Sequence, residues 1–195
     1  MFPERIETPR LVLEPRDHEH VDLLECYRIC SGDEDIEEVT RYMPWSPHET
    51  VEETAAYLDR GEGHWNDRTR ATYVVRPRAG EPGAGEIAGF ADLACDWDRR
   101  TGNLGIWLRK RFWGRGYSGE RATALVELAF ERLDLELVAV THHADNEKSQ
   151  KAIEKYVEAH GGRREGRLRN WLPYDDEVAD EVRYTISRAE YAASR

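Results

Sequence analysis

The residues most suited to chemistry form a short run in the second half of the chain, Trp113-Gly-Arg-Gly-Tyr-Ser118, with a further glycine at position 119. A strand-like segment precedes this run, and a helix-like segment follows it. The first N–H groups of a helix have no partner inside the helix, and the helix dipole turns its positive end toward them. Such a helix start binds phosphate, and glycine lets an anion approach the backbone closely. The run therefore predicts an anion site.

Two familiar nucleotide-binding loops do not fit this run. The Walker loop requires Gly-Lys-Ser/Thr, which the sequence lacks, and the run does not open a βαβ unit as the dinucleotide fingerprint does. Tight strand-to-helix turns also use glycine for steric reasons alone. Taken by itself, the run is compatible with anion binding and with a purely structural turn.

A second group of polar residues follows a nearly continuous apolar segment, residues 135–141. His142 and His143 end this segment, and Asn146 and Ser149 open the next helical pattern. Asn is a good helix N-cap, so Asn146 has a structural interpretation as well as a functional one. No third ligand has a spacing that matches the two histidines, and we expect no metal site.

Three cysteines, Cys26, Cys30 and Cys95, complete the set of reactive side chains. The first two lie four residues apart on a predicted helix, and no second pair is available to complete a zinc site. We expect buried free thiols, which agrees with a reducing compartment.

The elements that must position these residues follow from hydrophobic periodicity and from turn residues. The predicted order is β, α, α, β, β, β, α, β, α, β, β, which indicates a mixed-sheet α/β (α+β) fold and not a doubly wound one. Asp17 and Ser46 are predicted to cap the two early helices, and the second of these is predicted to end before Gly61. The Gly- and Pro-rich segment 78–85 is predicted to be a hairpin connection. Predicted strands cover residues 10–15, 71–76, 86–93, 103–109, 135–141, 163–170 and 181–188.

Length and composition narrow the function classes. The 195 residues suit one domain over residues 1–195, and 39% apolar residues suit a folded chain. The formal net charge of −11 argues against a nucleic-acid binder, which needs a basic footprint. We expect a cytoplasmic protein with no membrane association, since no apolar run reaches the roughly 20 residues of a membrane span and the start lacks a signal peptide. The acidic, Lys-poor composition fits adaptation to high salt or attraction of cationic substrates.

Five segments occur in an order that resembles the GNAT acetyltransferases, and in particular their ribosomal-protein N-acetyltransferase (RimJ/RimL-like) branch. The resemblance extends over nearly the whole chain. The segments are Ile6-Glu-Thr-Pro-Arg-Leu-Val-Leu13, Arg41-Tyr-Met-Pro-Trp45, Phe112-Trp-Gly-Arg-Gly-Tyr117 with Glu120, Asn146-x-x-Ser149, and Val182-Arg-Tyr-Thr-Ile-Ser-Arg188.

The resemblance implies the acyl-CoA N-acyltransferase fold, a splayed central sheet flanked by helices, with acetyl-CoA as co-substrate. It implies that pantetheine pairs with backbone groups of Ile106, Trp107 and Leu108. Asn146 is expected to bind the pantetheine arm and Ser149 to donate a proton to the departing thiolate. Glu120 is expected to be structural. The residues expected to surround the diphosphate, mainly through backbone amides, are Trp113, Gly114, Arg115, Gly116, Tyr117, Ser118 and Gly119.

Two positions bear on which group accepts the proton that the attacking amine loses. Many relatives carry Glu ten residues before the loop, where this chain has Asn103. Asp92 on the preceding strand is a base that could act through water, or a solvated carboxylate at a strand end. Trp171, Tyr174 and one of the two histidines are candidates for the acceptor site, although packing is the commoner role of such aromatics.

The expected acceptor follows from reference pKa values. A site without a strong base suits an α-amine of pKa about 7.7–8.0 better than a lysine of pKa about 10.4. We therefore expect direct acetyl transfer to the N-terminal α-amine of a protein, and family analogy suggests a ribosomal protein. The same analogy makes a homodimer one assembly to consider. The alternatives are a small-molecule amine, such as an aminoglycoside or a polyamine, and a non-catalytic module that binds acyl-CoA.

Overall fold

The computed structural model describes residues 1–174 and 178–195, and its centre is an eight-stranded mixed sheet. The strand order is β1-β2-β3-β4-β5-β6-β8-β7. Only β5 and β6 pair in parallel. The mixed sheet predicted from the sequence is confirmed. The strands are β1 (Ile6–Glu7), β2 (Leu11–Pro15), β3 (Arg70–Pro77), β4 (Gly89–Asp96), β5 (Thr101–Leu108), β6 (Leu137–His143), β7 (Arg163–Pro173) and β8 (Val178–Ser187).

Six α-helices occur in the described part of the chain. A 3₁₀ turn (Lys110–Phe112) follows β5, and a π-helical turn (Leu128–Arg132) extends the fourth helix. As the sequence pattern predicts, a helix follows the glycine run and another follows β6. The helices are α1 (Leu23–Gly32), α2 (Ile36–Thr40), α3 (Val51–Asn66), α4 (Tyr117–Glu127), α5 (Glu147–Ala159) and α6 (Arg188–Ala193).

The predicted starts of the two early helices are wrong by several residues. Asp22, and not Asp17, caps α1, because its side chain accepts a hydrogen bond from the N–H of Glu25. Thr50, and not Ser46, caps α3. The segment before α3 stays outside the helix, and there the N–H of His48 donates to the carbonyl of Cys30. Asp17 caps a separate turn before α1, where its carboxylate accepts from the N–H groups of Glu19 and His20. Before α3, the contact of His48 with Cys30 keeps the chain outside the helix.

Two apolar layers cover the two faces of the sheet. The first contains α4, α5 and the buried Tyr191 of α6, packed on side chains such as Leu93, Leu104 and Val140. The second contains α1, α2 and α3, packed on Val74, Phe90 and Trp107. Alternation of side chains along each strand sends neighbouring residues to opposite layers. We call these the α4–α5 face and the α1–α3 face.

Within residues 1–174 and 178–195, no helix combines the length and the apolar character needed to cross a membrane. The three cysteines are free thiols, of which Cys26 and Cys30 are buried and Cys95 is partly buried. The Sγ atoms of Cys26 and Cys30 lie 4.0 Å apart. The hydrogen bond with Cys26 and the burial of Cys30 raise the pKa of the Cys30 thiol.

Arg121 of α4 is the largest fully buried side chain, and it carries a charge. Its Nε, Nη1 and Nη2 atoms have no hydrogen-bond partner among the described residues. Burial lowers the pKa of its guanidinium group. An uncompensated buried charge destabilises a fold, because its lost hydration is not replaced by hydrogen bonds.

We predict that Arg121→Met raises the free energy of unfolding by about 1–4 kcal/mol, because the variant removes a buried charge and keeps most of the buried volume. Thermal and denaturant unfolding measure the change. Arg132→Met is the matched control at an exposed position and is expected to alter stability by less than about 0.5 kcal/mol. A clearly destabilised Arg121→Met protein contradicts the prediction.

Candidate active site

The two parallel strands are paired over only half of their length. Residues 101–104 of β5 lie beside residues 137–140 of β6. Beyond them, residues 105–108 pair with β4 alone, and residues 141–143 pair with β8 alone. The strands therefore separate toward their carboxyl ends, and a gap opens in the middle of the sheet. This is the splay that the family resemblance predicts.

The backbone of β5 offers hydrogen-bonding groups to this gap. The N–H of Arg109 donates to the carbonyl of Ala88 beside β4. Because successive residues of a strand turn their backbone groups to opposite edges, Ile106 and Leu108 face the gap and Trp107 faces β4. The Leu108 carbonyl already accepts a 2.7 Å hydrogen bond from Nε1 of Trp113. Of the three residues predicted to pair with pantetheine, Ile106 thus offers its N–H and its carbonyl to the gap, and Leu108 offers its N–H. The backbone groups of Trp107 belong to the β4 ladder.

The run after β5 presents its backbone N–H groups without protein acceptors. Gly114 and Gly116 adopt φ values of 74° and 78°, a left-handed conformation that glycine adopts without strain. Gly116 is the N-cap of α4 and supplies no capping side chain. Among the described residues, none of the N–H groups of residues 114–119 has a hydrogen-bond acceptor, and the first helical bond is donated by Glu120. We call residues 114–119 the amide loop.

The side chains of the amide loop mostly turn away from its N–H groups. Arg115 donates to the carbonyl of Pro82 at 3.0 Å, and its guanidinium lies 5.2 Å from the ring of Phe112. Tyr117 is buried, and its hydroxyl donates to the Glu81 carboxylate at 2.7 Å. Burial and this hydrogen bond raise the pKa of Tyr117. The guanidinium of Arg115 therefore lies beside Pro82 and Phe112.

Glu120 fixes the start of α4 against the beginning of β2. Its carboxylate accepts hydrogen bonds from the Thr8 hydroxyl at 2.6 Å, from the Arg10 backbone N–H at 2.7 Å and from Arg10 Nε at 2.6 Å. Burial opposes ionisation, yet the hydrogen bonds from Thr8 and Arg10 lower the pKa of Glu120. Arg10 also donates to the carbonyl of Arg115. Glu120 and Arg10 thus link the amide loop to the segment that precedes β2.

Asn146 and Ser149 meet at the start of α5. Oδ1 of Asn146 accepts a 3.0 Å hydrogen bond from the backbone N–H of Ser149, so Asn146 is the N-cap of this helix. Its side-chain NH₂ group remains available as a donor. The Ser149 hydroxyl has no hydrogen-bond partner among the described residues and is partly exposed. Ile153, one turn further along α5, is buried in the core and has no group that could move a proton.

A cleft of about 310 Å³ opens on the α1–α3 face. Trp107 of β5 contributes to its wall, which connects the cleft to the strand that borders the gap. None of the described side chains in the wall is acidic. The aromatic ones pack against each other, with the ring centroids of Trp45 and Trp107 5.1 Å apart. The wall consists of Arg16, Cys30, Pro44, Trp45, His48, Tyr57, Arg60, His64, Arg70 and Trp107.

Both histidines of the cleft favour the neutral form. Burial lowers the pKa of His48, an effect that Arg60 reinforces and Glu53 opposes. Burial also lowers the pKa of His64, and the positive charges of Arg70 and Arg16 lower it further. The cleft is therefore basic through its arginines and not through its histidines.

The two polar candidates on β4 and β5 lie on the α1–α3 face as well. Asn103 is exposed and is paired in register with Ala94. Asp92 is paired with Gly105, where an added Cβ would meet the Asp92 carboxylate at 2.8 Å. Asp92 also lies 3.5 Å from Nη1 of Arg70. Asn103 and Asp92 remain candidates, with Asp92 already engaged as an ion pair.

His142 and His143 point to opposite faces of the sheet. His142 is buried on the α4–α5 face, its ring stacks on Tyr184, and burial lowers its pKa. The ring of His143 contacts Tyr42 and Tyr174 at centroid distances of 4.9 and 5.2 Å. His143 and Tyr174 therefore form part of an aromatic wall beyond the end of β6, whereas Trp171 is largely exposed.

The sequence pattern does not assign any residue to this cleft, although Trp45 and Trp107 belong to segments that it singles out. Arg16 follows the first long strand without any motif around it, and Tyr57 matches an ordinary amphipathic helix. The one available signal was Gly61, which interrupts an otherwise regular helical pattern and was interpreted as a helix end. In the structure α3 continues through Gly61 to Asn66, and Gly61 provides space for Arg16.

Comparison with known proteins agrees with this geometry. A family model for the acetyltransferase (GNAT) domain matches residues 10–156. YdaF of Bacillus subtilis (strain 168), whose name assigns it to the ribosomal N-acetyltransferases, is 30% identical over 112 residues; the match spans 57% of this chain and 59% of that protein. A crystal structure from T. thermophilus, described as an acetyltransferase, is 30% identical, covers 100% of this chain and 94% of its own, and has a TM-score of 0.76.

A second structure shares the fold at lower identity. The microcin C7 self-immunity acetyltransferase MccE, solved in complex with acetyl-CoA and AMP, is 16% identical and has a TM-score of 0.81. It covers 95% of this chain and 97% of its own. The matched domain, the splayed sheet and the amide loop confirm the family that the sequence predicts: the chain belongs to the GNAT acetyltransferases.

Proposed function

We propose that this chain is an acetyl-CoA-dependent N-acetyltransferase that passes the acetyl group directly to an amine, with the α-amine at the N-terminus of a protein as its preferred acceptor. The observation that carries the proposal is the amide loop, where the consecutive N–H groups of residues 114–119 have no acceptor among the described residues. This is the arrangement that binds a diphosphate.

The residues present fit acetyl-CoA. The amide loop, with glycines at 114 and 116, would hold the diphosphate. The backbone groups of Ile106 and Leu108 that face the gap would pair with the pantetheine amides. The side-chain NH₂ of Asn146 would add a donor at the other edge of the gap.

The bound thioester supplies an acetyl group that is already activated, so the protein needs only to position and polarise it. A neutral amine forms the new C–N bond as the C–S bond breaks and the thiolate leaves. An N–H group of β5 in the gap stabilises the negative charge on the carbonyl oxygen. The Ser149 hydroxyl donates a proton to the thiolate and regains one from solvent, and the proton lost by the amine passes to solvent.

The acceptor class follows from the absence of a carboxylate at position 103. An α-amine is roughly a tenth or more neutral at pH 7, whereas a lysine amine is neutral about once in several thousand molecules. Asn103 cannot take a proton, so an amine of low pKa is the better acceptor. The name of YdaF supports a ribosomal protein as the source of that amine. The arginines of the cleft make a polyamine or an aminoglycoside a poor match.

The experiment is a thiol-release assay with acetyl-CoA and three kinds of acceptor. These are peptides with a free N-terminal serine, the same peptides blocked at the N-terminus but containing lysine, and spermidine with an aminoglycoside. We expect release with the free α-amine alone, and a rate that rises toward about pH 8 as the amine loses its proton. Thiol release with spermidine but with none of the peptides contradicts the proposed acceptor. Tight CoA binding without thiol release for any amine contradicts the proposed enzymatic activity.

The amide loop is tested by Gly116→Ala. A methyl group at this position strains the left-handed backbone and intrudes where an anion approaches, so we predict at least a roughly tenfold weaker affinity for CoA by calorimetry. Gly85→Ala is the matched control, because Gly85 has a φ of 80° and open space around it but lies in the hairpin connection. Equal loss of affinity in both variants contradicts a specific role of the loop.

Ser149 is tested by Ser149→Ala and Ser149→Cys. We predict a roughly 10- to 100-fold lower kcat for the alanine variant, with the KM for acetyl-CoA little changed, because the hydroxyl acts on the departing thiolate. Partial recovery in the cysteine variant is expected. An alanine variant with full turnover excludes Ser149 as the proton donor.

A further inference from the structure

Arg16 is the most buried of the three arginines that line the cleft. It follows the last residue of β2, is only 9% exposed and contributes to the wall of the cleft. Its Nε is fully buried and has no hydrogen-bond partner among the described residues. Removing a guanidinium group from water is costly unless a charge or a set of acceptors replaces the water.

The fold makes room for this side chain at some cost to a helix. A Cβ added at Gly61 in α3 would lie 2.7 Å from Nε of Arg16 and 2.5 Å from the backbone carbonyl oxygen of Arg16. Glycine inside a helix is less favourable than alanine, so its presence in α3 has a local cost. The guanidinium of Arg16 therefore occupies a position from which any larger residue at 61 would expel it.

The protein neighbours of Arg16 do not neutralise its charge. The guanidinium stacks on the ring of Tyr57 with its Cζ 3.8 Å from the centroid, which uses its flat face and leaves the N–H groups at its edge. Within the part of the chain that the structure describes, Arg16 forms no ion pair, and Arg70 is the only cleft arginine that does, with Asp92. The residues that the structure describes in the wall include three arginines and no carboxylate, in a chain of formal net charge −11.

Arg16 is also connected to the gap through aromatic side chains. The hydroxyl of Tyr57 accepts a 3.4 Å hydrogen bond from Nε1 of Trp107, and Trp107 belongs to the separated half of β5. Two aromatic side chains thus separate the guanidinium from the strand at which transfer is proposed. A peptide covers about 3.3–3.6 Å per extended residue, and the second and third residues of an N-terminus are those within two such steps of the amine.

We propose that the cleft binds an anionic group of the acceptor, a carboxylate or a phosphate, against the guanidinium of Arg16, with Trp45 and Trp107 packed on the segment between that anion and the amine. The inference rests on the proposed function, since the molecule in the cleft is the amine acceptor. It defines the acceptor class further: N-termini with an acidic or phosphorylated residue at position two or three are preferred, and basic N-termini are disfavoured.

The first test compares three peptides that share an N-terminal serine and an amidated C-terminus. Positions two and three carry glutamate, phosphoserine or lysine, which separates carboxylate from phosphate recognition. We expect the wild-type protein to have a KM at least roughly tenfold lower for one of the anionic peptides than for the lysine peptide. In Arg16→Met, which keeps most of the buried volume, this preference is expected to disappear. Arg28→Met is the matched control at an exposed position outside the cleft, and it should keep the preference.

The second test measures binding without turnover, using the N-acetylated forms of the same peptides and the tryptophan fluorescence of the cleft. We expect the anionic peptides to bind the wild-type protein at least roughly tenfold more tightly than they bind Arg16→Met. Equal binding to both proteins, or equal KM values for all peptides, overturns the anion site even if acetylation is observed. Arg16-dependent binding without acetylation of any peptide supports the anion site and counts against the proposed enzyme instead.

Discussion

The adjacent backbone N–H groups that the fold leaves without acceptors at residues 114–119 are the constraint on which the rest of this structure depends. A backbone N–H group normally finds a partner, and the start of a helix is the one regular position where several do not. Here two glycines with positive φ gather these groups into one loop, and no side chain caps the helix. The hydrogen bonds from Thr8 and Arg10 to Glu120 hold the loop against the edge of the core. The loop is therefore held in place before any anion arrives.

The sheet separates the two parts of the site, the gap between β5 and β6 and the cleft on the α1–α3 face. The separation of β5 and β6 exposes backbone groups in the plane of the sheet. At the end of β5, the indole N–H of Trp113 donates to the Leu108 carbonyl. The cleft lies on the α1–α3 face, where Trp107 is both strand residue and wall. A molecule that enters from this face meets the gap from the side opposite α4 and α5. Acceptor and acyl donor can thus approach the same strand without competing for the same surface.

Local patterns predicted the longer strands and helices and the glycine turn before α4, because these depend on neighbours in the sequence. The short elements β1, α2 and α6 were not predicted. Residues within a few positions determine the structure of three such features: the turn with glycines at 114 and 116, the apolar strand β6, and the helix cap at Asn146. The helix start at Asp22 was missed because Asp17 caps a separate local turn just before it. The start at Thr50 was missed because a tertiary contact, that of His48 with Cys30, keeps the preceding segment outside the helix. Arg16 was missed for the same reason. Its partner Gly61 is far away in the sequence, and only the packing of α3 on β2 shows that the two positions share one space.

The charge of the cleft also could not be read from composition. A net charge of −11 is compatible with a cationic substrate, yet the cleft wall, over residues 1–174 and 178–195, contains arginines and no carboxylate. Net charge describes association and solubility, whereas a site is set by the few groups that line it.

Hydrogen exchange of the backbone amides, measured with and without CoA, tests the central claim most directly. The amides of residues 114–119 have no acceptor in the described protein, so they should exchange quickly in the free protein and slow down markedly when CoA binds, more than those of any other helix start. Binding of CoA that leaves residues 114–119 in fast exchange, while protecting a different segment, contradicts the account.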